Sequence, residues 1–115
     1  MNTDKTIAQQ CLELVENIPS NEWTTDFFSD EGNKCCLHGH ISRLTSDDPS
    51  NYDYTNCSDW LSDNISMKLR SSCEQFSNGK FSSASVNNGL VNKYKQKTPR
   101  SRSIRLLKDM IKAGY

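Results

Sequence analysis

The stretch TPRSRSIRLLKDMIKAG, residues 98–114, carries the clearest structural signal in this chain. Thr98 is a favourable N-cap residue and Pro99 suits the first helical position, so a helix is predicted to begin here. Gly114 is a typical residue for ending it. The apolar residues recur at helical spacing and predict one buried stripe, formed by Ile104, Leu107, Met110 and Ile111. The basic residues are predicted on the outer faces, and these are Arg100, Arg102, Arg105, Lys108 and Lys112.

Three further helices are predicted upstream by the same periodicity. The first covers about residues 4–17, with caps available at residues 2–4, and ends before Pro19, because the residue before a proline avoids helical geometry. The second follows a cysteine-rich run and has the apolar stripe Leu37, Ile41 and Leu44. The third is predicted to start at a cap near Asn56 or Ser58, with residues 67–76 continuing it or forming a separate turn.

Two segments are predicted to be extended. Residues 22–28 are rich in aromatic and β-branched side chains, and residues 81–86 lie between two turn signals. The predicted fold class is therefore α+β: a small, mainly helical single domain over residues 1–115, with three or four helices and a short β-hairpin or extended pair. The predicted core contains Ile7, Leu14, Val15, Trp23, Leu37, Ile41, Trp60, Leu61, Leu107 and Ile111.

The charge balance of the chain conceals two halves of opposite sign. The 115 residues carry 14 basic and 14 acidic side chains, which gives a net charge of zero. Residues 1–63 hold 3 basic and 12 acidic side chains, whereas residues 64–115 hold 11 basic and 2 acidic ones. Such halves either face each other within the molecule or present one charged face to a partner.

The sequence predicts a cytoplasmic protein without membrane contact. Its first ten residues are polar, and no window approaches the roughly 20 apolar residues of a membrane span, so neither a secretory signal nor a span is expected. Five cysteines without such a signal favour reduced thiols over a disulfide framework.

The run CCLHGH, residues 35–40, is the strongest candidate for a chemical site, because it contains both histidines of the chain. A catalytic site here would use Cys36 as nucleophile and His38 or His40 as base. A zinc site would take its ligands from Cys36, His40, Cys57 and Cys73. We favour a structural interpretation, in which the run forms a helix N-terminus under the core, because buried cysteine packs as a small apolar residue. No cofactor is then expected, and zinc is the alternative.

Several short motifs resemble those of small phage and bacterial proteins of unknown function, of the family type DUF6197. In that family a W-x-x-(G/D) segment precedes a C-C-A-L-G-H-like helix start, which is similar to Trp23-Thr24-Thr25 followed by KCCLHGH at residues 34–40. Residues 86–89 resemble an I-N-D-G stretch, and residues 98–111 resemble the closing helix. The resemblance spans most of residues 7–115 and implies an intracellular accessory protein of a phage or mobile element. His38 departs from the small or apolar residue usual at its position.

Residues 93–102 form a second candidate site, suited to a negatively charged partner. Lysines alternate with other residues and arginines follow, as in proteins that neutralise nucleic-acid phosphates, and Tyr94 offers a ring for stacking on a base. The predicted partner-binding residues are Lys93, Tyr94, Lys95, Lys97, Arg100 and Arg102. The alternatives are a solvated helix face and a phosphate-mimicking acidic surface made by Asp26, Asp30, Glu31, Asp47, Asp48 and Asp53.

These observations rank three functions. The leading hypothesis is a non-enzymatic intracellular binding protein, such as a phage or mobile-element inhibitor of host defence, that occupies a host protein or a protein–nucleic acid complex. The second is a cysteine- or metal-dependent enzyme centred on Cys36 and His40. The third is a small nucleic-acid-binding module that uses residues 93–112.

Overall fold

The computed structural model describes residues 5–25, 34–46 and 65–115. Within these ranges the chain forms five α-helices and one short 3-10 helix at Ser20–Glu22. The α-helices are α1 (Ile7–Val15), α2 (Leu37–Leu44), α3 (Ile65–Ser77), α4 (Ser83–Asn87) and α5 (Pro99–Lys112).

Helix α5 is the centre of the arrangement. It packs on α1 and α4, and it also contacts α2 and the 3-10 helix. Helix α1 in turn packs on α2 and α3, so the helices enclose one apolar core. Its fully buried side chains include Cys11, Val15, Leu37, Ile41, Leu69, Leu106, Leu107 and Met110.

The prediction of an α+β fold is wrong, because the described residues contain no strand or sheet. Their one β-type contact is an isolated parallel bridge between Trp23 and Cys35. Residues 81–86 were predicted to be extended, but residues 83–86 lie in α4 instead. Ser82 caps this helix. Its hydroxyl accepts the Ser85 N–H at 3.1 Å, and the Ser85 hydroxyl accepts the Ser82 N–H at 3.0 Å. This reciprocal capping box satisfies backbone groups that a strand would leave for a partner strand.

The predicted helices are confirmed in type, with shifted boundaries. Helix α1 begins at Ile7 behind the N-cap Thr6, three residues after the predicted start, because Thr6 and Gln9 form a capping box. Thr98 and Pro99 start α5 as predicted. Residues 67–76 are helical, as part of α3. Further predictions lie outside the described residues. These are the helix caps at residues 2–4, at Asn56 and at Ser58, and residues 26–28 of the segment predicted to be extended.

Most of the predicted core is confirmed. Five of its residues are buried, namely Val15, Trp23, Leu37, Ile41 and Leu107. Ile7, Leu14 and Ile111 are half-buried and pack against this core. Trp60 and Leu61 lie outside the described residues. In the part of the chain that the structure describes, every helix is too short or too polar to cross a bilayer.

Candidate functional site

The Cys/His run forms the start of α2 and is fastened to the segment that precedes it. The backbone of Cys35 donates its N–H to the Glu22 carbonyl at 3.1 Å and accepts the Thr24 N–H at 3.0 Å. Cys36 is the N-cap of α2, and its Sγ accepts the Gly39 N–H at 3.4 Å. A cysteine here takes the place that serine or threonine usually fills at a helix start. The structure thus places both cysteines where the structural interpretation expects them.

His38 is buried between two serines from different helices. Its Nδ1 lies 2.7 Å from the Ser66 hydroxyl of α3, and its Nε2 lies 2.6 Å from the Ser83 hydroxyl of α4. A neutral imidazole has one N–H donor and one acceptor nitrogen, so one serine accepts from the ring and the other donates to it. Burial, together with the nearby Arg70 cation, lowers the pKa of His38 to about 4. The ring therefore links α2, α3 and α4 as a neutral bridge.

His40 is held in one tautomer by its neighbours. The Arg43 guanidinium donates to Nδ1 at 3.2 Å, so the proton is on Nε2, which donates to the Glu22 carbonyl at 2.9 Å. The ring centroid lies 4.8 Å from that of Trp23. Burial and the Arg43 cation lower the pKa of His40 to about 4, against a smaller opposing effect of the Glu22 carbonyl. Both ring nitrogens are thus occupied by hydrogen bonds within the fold.

Three of the described thiols, those of Cys11, Cys36 and Cys73, are protonated near neutral pH. Burial raises the pKa of Cys11 to about 12 and that of Cys73 to about 11. Burial also raises the pKa of Cys36, although hydrogen bonds from the Gly39 and His38 backbone oppose the shift. A helix N-terminus lowers the pKa of an accessible thiol, but here the loss of solvent outweighs that effect. Cys36 therefore lacks the thiolate character that a nucleophilic cysteine needs.

Three of the four predicted zinc ligands lie within the described residues. Cys36 and His40 lie one turn apart at the start of α2, while Cys73 is buried in α3. Cys57 lies outside the described residues. In the described ranges no three His, Cys, Asp or Glu residues form a group that could hold a metal ion. Zinc binding would moreover require His40 to give up a hydrogen bond, because a ligating nitrogen must present its lone pair.

Asn87 and Arg102 form a buried polar junction that the sequence did not predict. The Asn87 Oδ1 accepts the Leu37 N–H at 3.0 Å, and its Nδ2 donates to the Thr24 carbonyl at 3.1 Å. The Arg102 guanidinium, predicted on an outer face, is instead 8% exposed and donates to three carbonyls, those of Val86, Asn87 and Gln96. The carbonyls of Val86 and Asn87 lie at the C-terminal end of α4, where a cation complements the partial negative charge of the helix.

The predicted partner-binding residues divide into an inward and an outward group. Tyr94 is 2% exposed, and its hydroxyl donates to Asp109 at 2.9 Å, so its ring has no face open to a base. Arg100 donates to the carbonyls of Glu16 and Ile18 at 2.6 and 2.8 Å, and Arg102 closes the junction described above. The outward group is exposed and consists of Lys93, Lys95 and Lys97.

The outward lysines belong to a larger cationic surface. Arg105, Lys108 and Lys112 are exposed and recur every three or four residues on the outer side of α5, as predicted. The 93–97 connection runs beside α5, because Tyr94 bonds Asp109 and the Gln96 carbonyl bonds Arg102. We use the term basic face for Lys93, Lys95, Lys97, Arg105, Lys108 and Lys112. The alternative acidic surface, from Asp26 to Asp53, lies outside the described residues.

Comparison of this chain with protein-family models, curated proteins and solved structures finds no match. The resemblance to the DUF6197 type therefore stays a prediction.

Proposed function

We propose that this protein is a non-enzymatic binding protein that acts by occupying a macromolecular partner. The observation that carries this proposal is the separation of the molecule into two regions. The side chains that could act in catalysis or metal binding are engaged in hydrogen bonds within the fold; they are Cys36, His38 and His40. The exposed cations of the basic face lie more than 50 residues further along the chain, in the 93–97 connection and in α5.

The described chemistry supports binding over catalysis at Cys36 and His40. A cysteine nucleophile requires a thiolate and a base whose nitrogen can accept its proton. Burial raises the pKa of Cys36, and the accepting nitrogen of His40 already receives the Arg43 guanidinium. General acid–base catalysis at neutral pH also works best with a pKa near the working pH, whereas the pKa of His40 is about 4.

The biological setting is part of the same proposal. The predicted reduced cysteines and the resemblance to phage and bacterial proteins support a cytoplasmic accessory factor of a phage or mobile element. Such a factor would inhibit host defence by covering a surface that a host protein or protein–nucleic acid complex needs.

The proposal is tested by recovering the partner of the tagged protein from bacterial cells after cross-linking. Four proteins are compared: the wild type, a face variant (Lys95→Gln/Lys108→Gln), a control variant (Lys68→Gln/Lys80→Gln) and Cys36→Ser. The two double variants each lose two exposed positive charges, and the control changes lie in α3 and the turn after it. Serine is a favourable N-cap residue, so Cys36→Ser removes the thiol and keeps the cap.

We expect one partner to be recovered with the wild type, the control variant and Cys36→Ser, and to be depleted at least tenfold with the face variant. Equal recovery with the face variant and the wild type would contradict binding through the basic face. Loss of the partner with Cys36→Ser alone would instead favour the enzyme hypothesis, because only the thiol differs.

A further inference from the structure

We infer that the basic face binds the phosphate backbone of duplex DNA, independently of base sequence. This inference rests on the proposed function and names the class of its partner. It uses residues that the structure turns outward, and it excludes Tyr94, Arg100 and Arg102, whose polar groups are bonded within the fold.

The spacing of the cations suits a regular polyanion. Arg105, Lys108 and Lys112 lie on one side of α5 within about 10 Å along its axis, at about 1.5 Å per residue. Duplex DNA carries one negative charge for roughly every 1.7 Å of its length. The hydrogen bond from Tyr94 to Asp109 holds the 93–97 connection against the same side of α5, which widens the stripe into a face.

Few acidic side chains lie in the part of the sequence that carries the face. Residues 64–115 contain 11 basic and 2 acidic side chains. One of the two, Asp109, accepts the Tyr94 hydroxyl and pairs with Arg105 at 3.3 Å. This pair leaves Arg105 61% exposed, so the guanidinium still faces solvent. Among the described residues, the carboxylate that contacts the face is therefore already engaged by Tyr94 and Arg105.

The surroundings of the face favour phosphate over an acidic protein. Protein–protein interfaces concentrate their binding energy in aromatic or aliphatic anchors that enter a partner pocket. Among the described residues the one large apolar side chain that is exposed is Leu90. A single exposed leucine is ordinary for a protein surface. Backbone phosphates, in contrast, require only cations and hydrogen-bond donors.

The aromatic residues near the face favour a duplex over a single strand. Single-strand binding relies on exposed rings that stack on the bases. Here the rings of Phe76, Phe81, Tyr94 and Tyr115 pack edge-on against one another, with centroids 5.8 to 6.3 Å apart. The major groove of B-form DNA is also wide enough for a helix to lie along it and contact the phosphates at its edges, whereas the major groove of an RNA duplex is too narrow. Duplex DNA is therefore the nucleic acid that this surface fits.

The test is fluorescence anisotropy with a labelled DNA duplex of about 30 base pairs, with a single strand and an RNA duplex of the same sequence as comparison probes. For about four phosphate contacts, the logarithm of the affinity should fall with the logarithm of salt concentration at a slope of roughly −3.6. Affinity should then drop about 10²-fold between 50 and 200 mM salt. The face variant should lower the slope by about 2 and weaken binding alike on unrelated sequences, while the control variant keeps the wild-type slope.

Three results would overturn the inference: no duplex binding at 50 mM salt, equal weakening by the face and control variants, or at least tenfold tighter binding of the single strand or the RNA duplex. Circular dichroism of each variant confirms that the fold is retained. If the duplex is not bound but the cellular partner survives nuclease treatment and still depends on the basic face, the inference fails and the proposed function stands. If partner recovery does not depend on the face, the proposed function itself fails.

Discussion

At the scale of single residues, the imidazole of His38 shows how this small fold uses polar side chains as interior bridges. Its two nitrogens contact hydroxyls from α3 and α4, although its own backbone belongs to α2. A buried polar group adds stability only when its partners are present. The ring thus connects three helices, and it contributes to the stability of the fold only while it is neutral.

Acid should weaken the protein through His38. The pKa of the ring is about 4 in the folded protein and about 6.5 in the unfolded chain, so between these pH values the unfolded chain binds more protons. The contribution of His38 is full above pH 6.5 and is lost as the pH falls toward 4. At pH 5 we expect His38 alone to contribute a loss of about 2 kcal/mol in the free energy of unfolding.

Urea unfolding at pH 7.5 and pH 5 gives the total loss, to which His40 also contributes because its pKa is likewise about 4, and comparison with a His38 variant isolates the part due to His38. A His38→Gln variant is less stable at pH 7.5, because it breaks the serine bridge, but its stability should depend less on pH by about 2 kcal/mol. A variant with the same pH dependence as the wild type would show that His38 is not a buried neutral ring.

Substitutions at Gly89 and Gly79 test the junction around Arg102, with Gly79 as the control position. Both have left-handed backbone, with φ of +77° and +76°. Alanine at either position costs about 1–2 kcal/mol for that conformation. Only at Gly89 would the new methyl group lie close to the Arg102 guanidinium, 3.2 Å from Cζ.

We expect Gly89→Ala to lower the free energy of unfolding by about 1–3 kcal/mol more than Gly79→Ala, because the guanidinium must shift from its carbonyl partners. Chemical denaturation of the two variants gives this difference directly. Equal losses would mean that Arg102 does not hold the end of α4.

The sequence predicts the surroundings of individual residues only in part. The structural role of Cys36 and His40 at the start of α2 was expected, because the run lacks a complete ligand or catalytic set. The inward turn of Arg100 and Arg102 does not follow, because a basic side chain in a helical pattern carries no sign of a distant carbonyl. The 93–102 pattern therefore mixes residues that build the fold with residues that face solvent.

At the scale of elements, α4 is where local capping decides the structure. Residues 81–86 lack a helical apolar stripe, and five residues are too few for periodicity to appear. The capping box at Ser82 and Ser85 fixes the start of this helix instead. Longer elements such as α1 and α5 were predictable because their apolar residues recur over several turns.

Removing the cap should destabilise the protein. Ser82→Ala deletes the hydroxyl that accepts the Ser85 N–H, and we expect it to cost about 1 kcal/mol. Ser71→Ala is the control: Ser71 is exposed within α3, where alanine is the better helix former, so that change should be neutral or stabilising by a few tenths of a kcal/mol. Thermal unfolding followed by circular dichroism compares the two. A Ser82→Ala protein as stable as Ser71→Ala would show that the cap does not set α4.

At the scale of the whole molecule, α5 separates the interior from the proposed binding surface. One side of the helix packs against α1 and α4, and the other carries Arg105, Lys108 and Lys112. The helix and the outward position of Arg105, Lys108 and Lys112 were predictable from periodicity, whereas the burial of Arg102 and Leu106 was not. The relation of the Cys/His run to α3 and α4 was not, because it depends on contacts between residues 28 and 45 positions apart in the chain.

The central claim is that the Cys/His run is structural and that binding takes place at the basic face. It is tested most directly by the pH profile of thiol labelling at Cys36 in the folded protein. Site-resolved mass spectrometry follows alkylation from pH 6 to pH 10, with Cys36→Ser as the control for assignment. Because burial raises the pKa of Cys36, labelling should be slow at pH 7 and still accelerating at the alkaline end of the range. Rapid labelling at pH 7 that reaches a plateau below pH 8 and is lost in His40→Gln would reveal an activated thiol and contradict this claim.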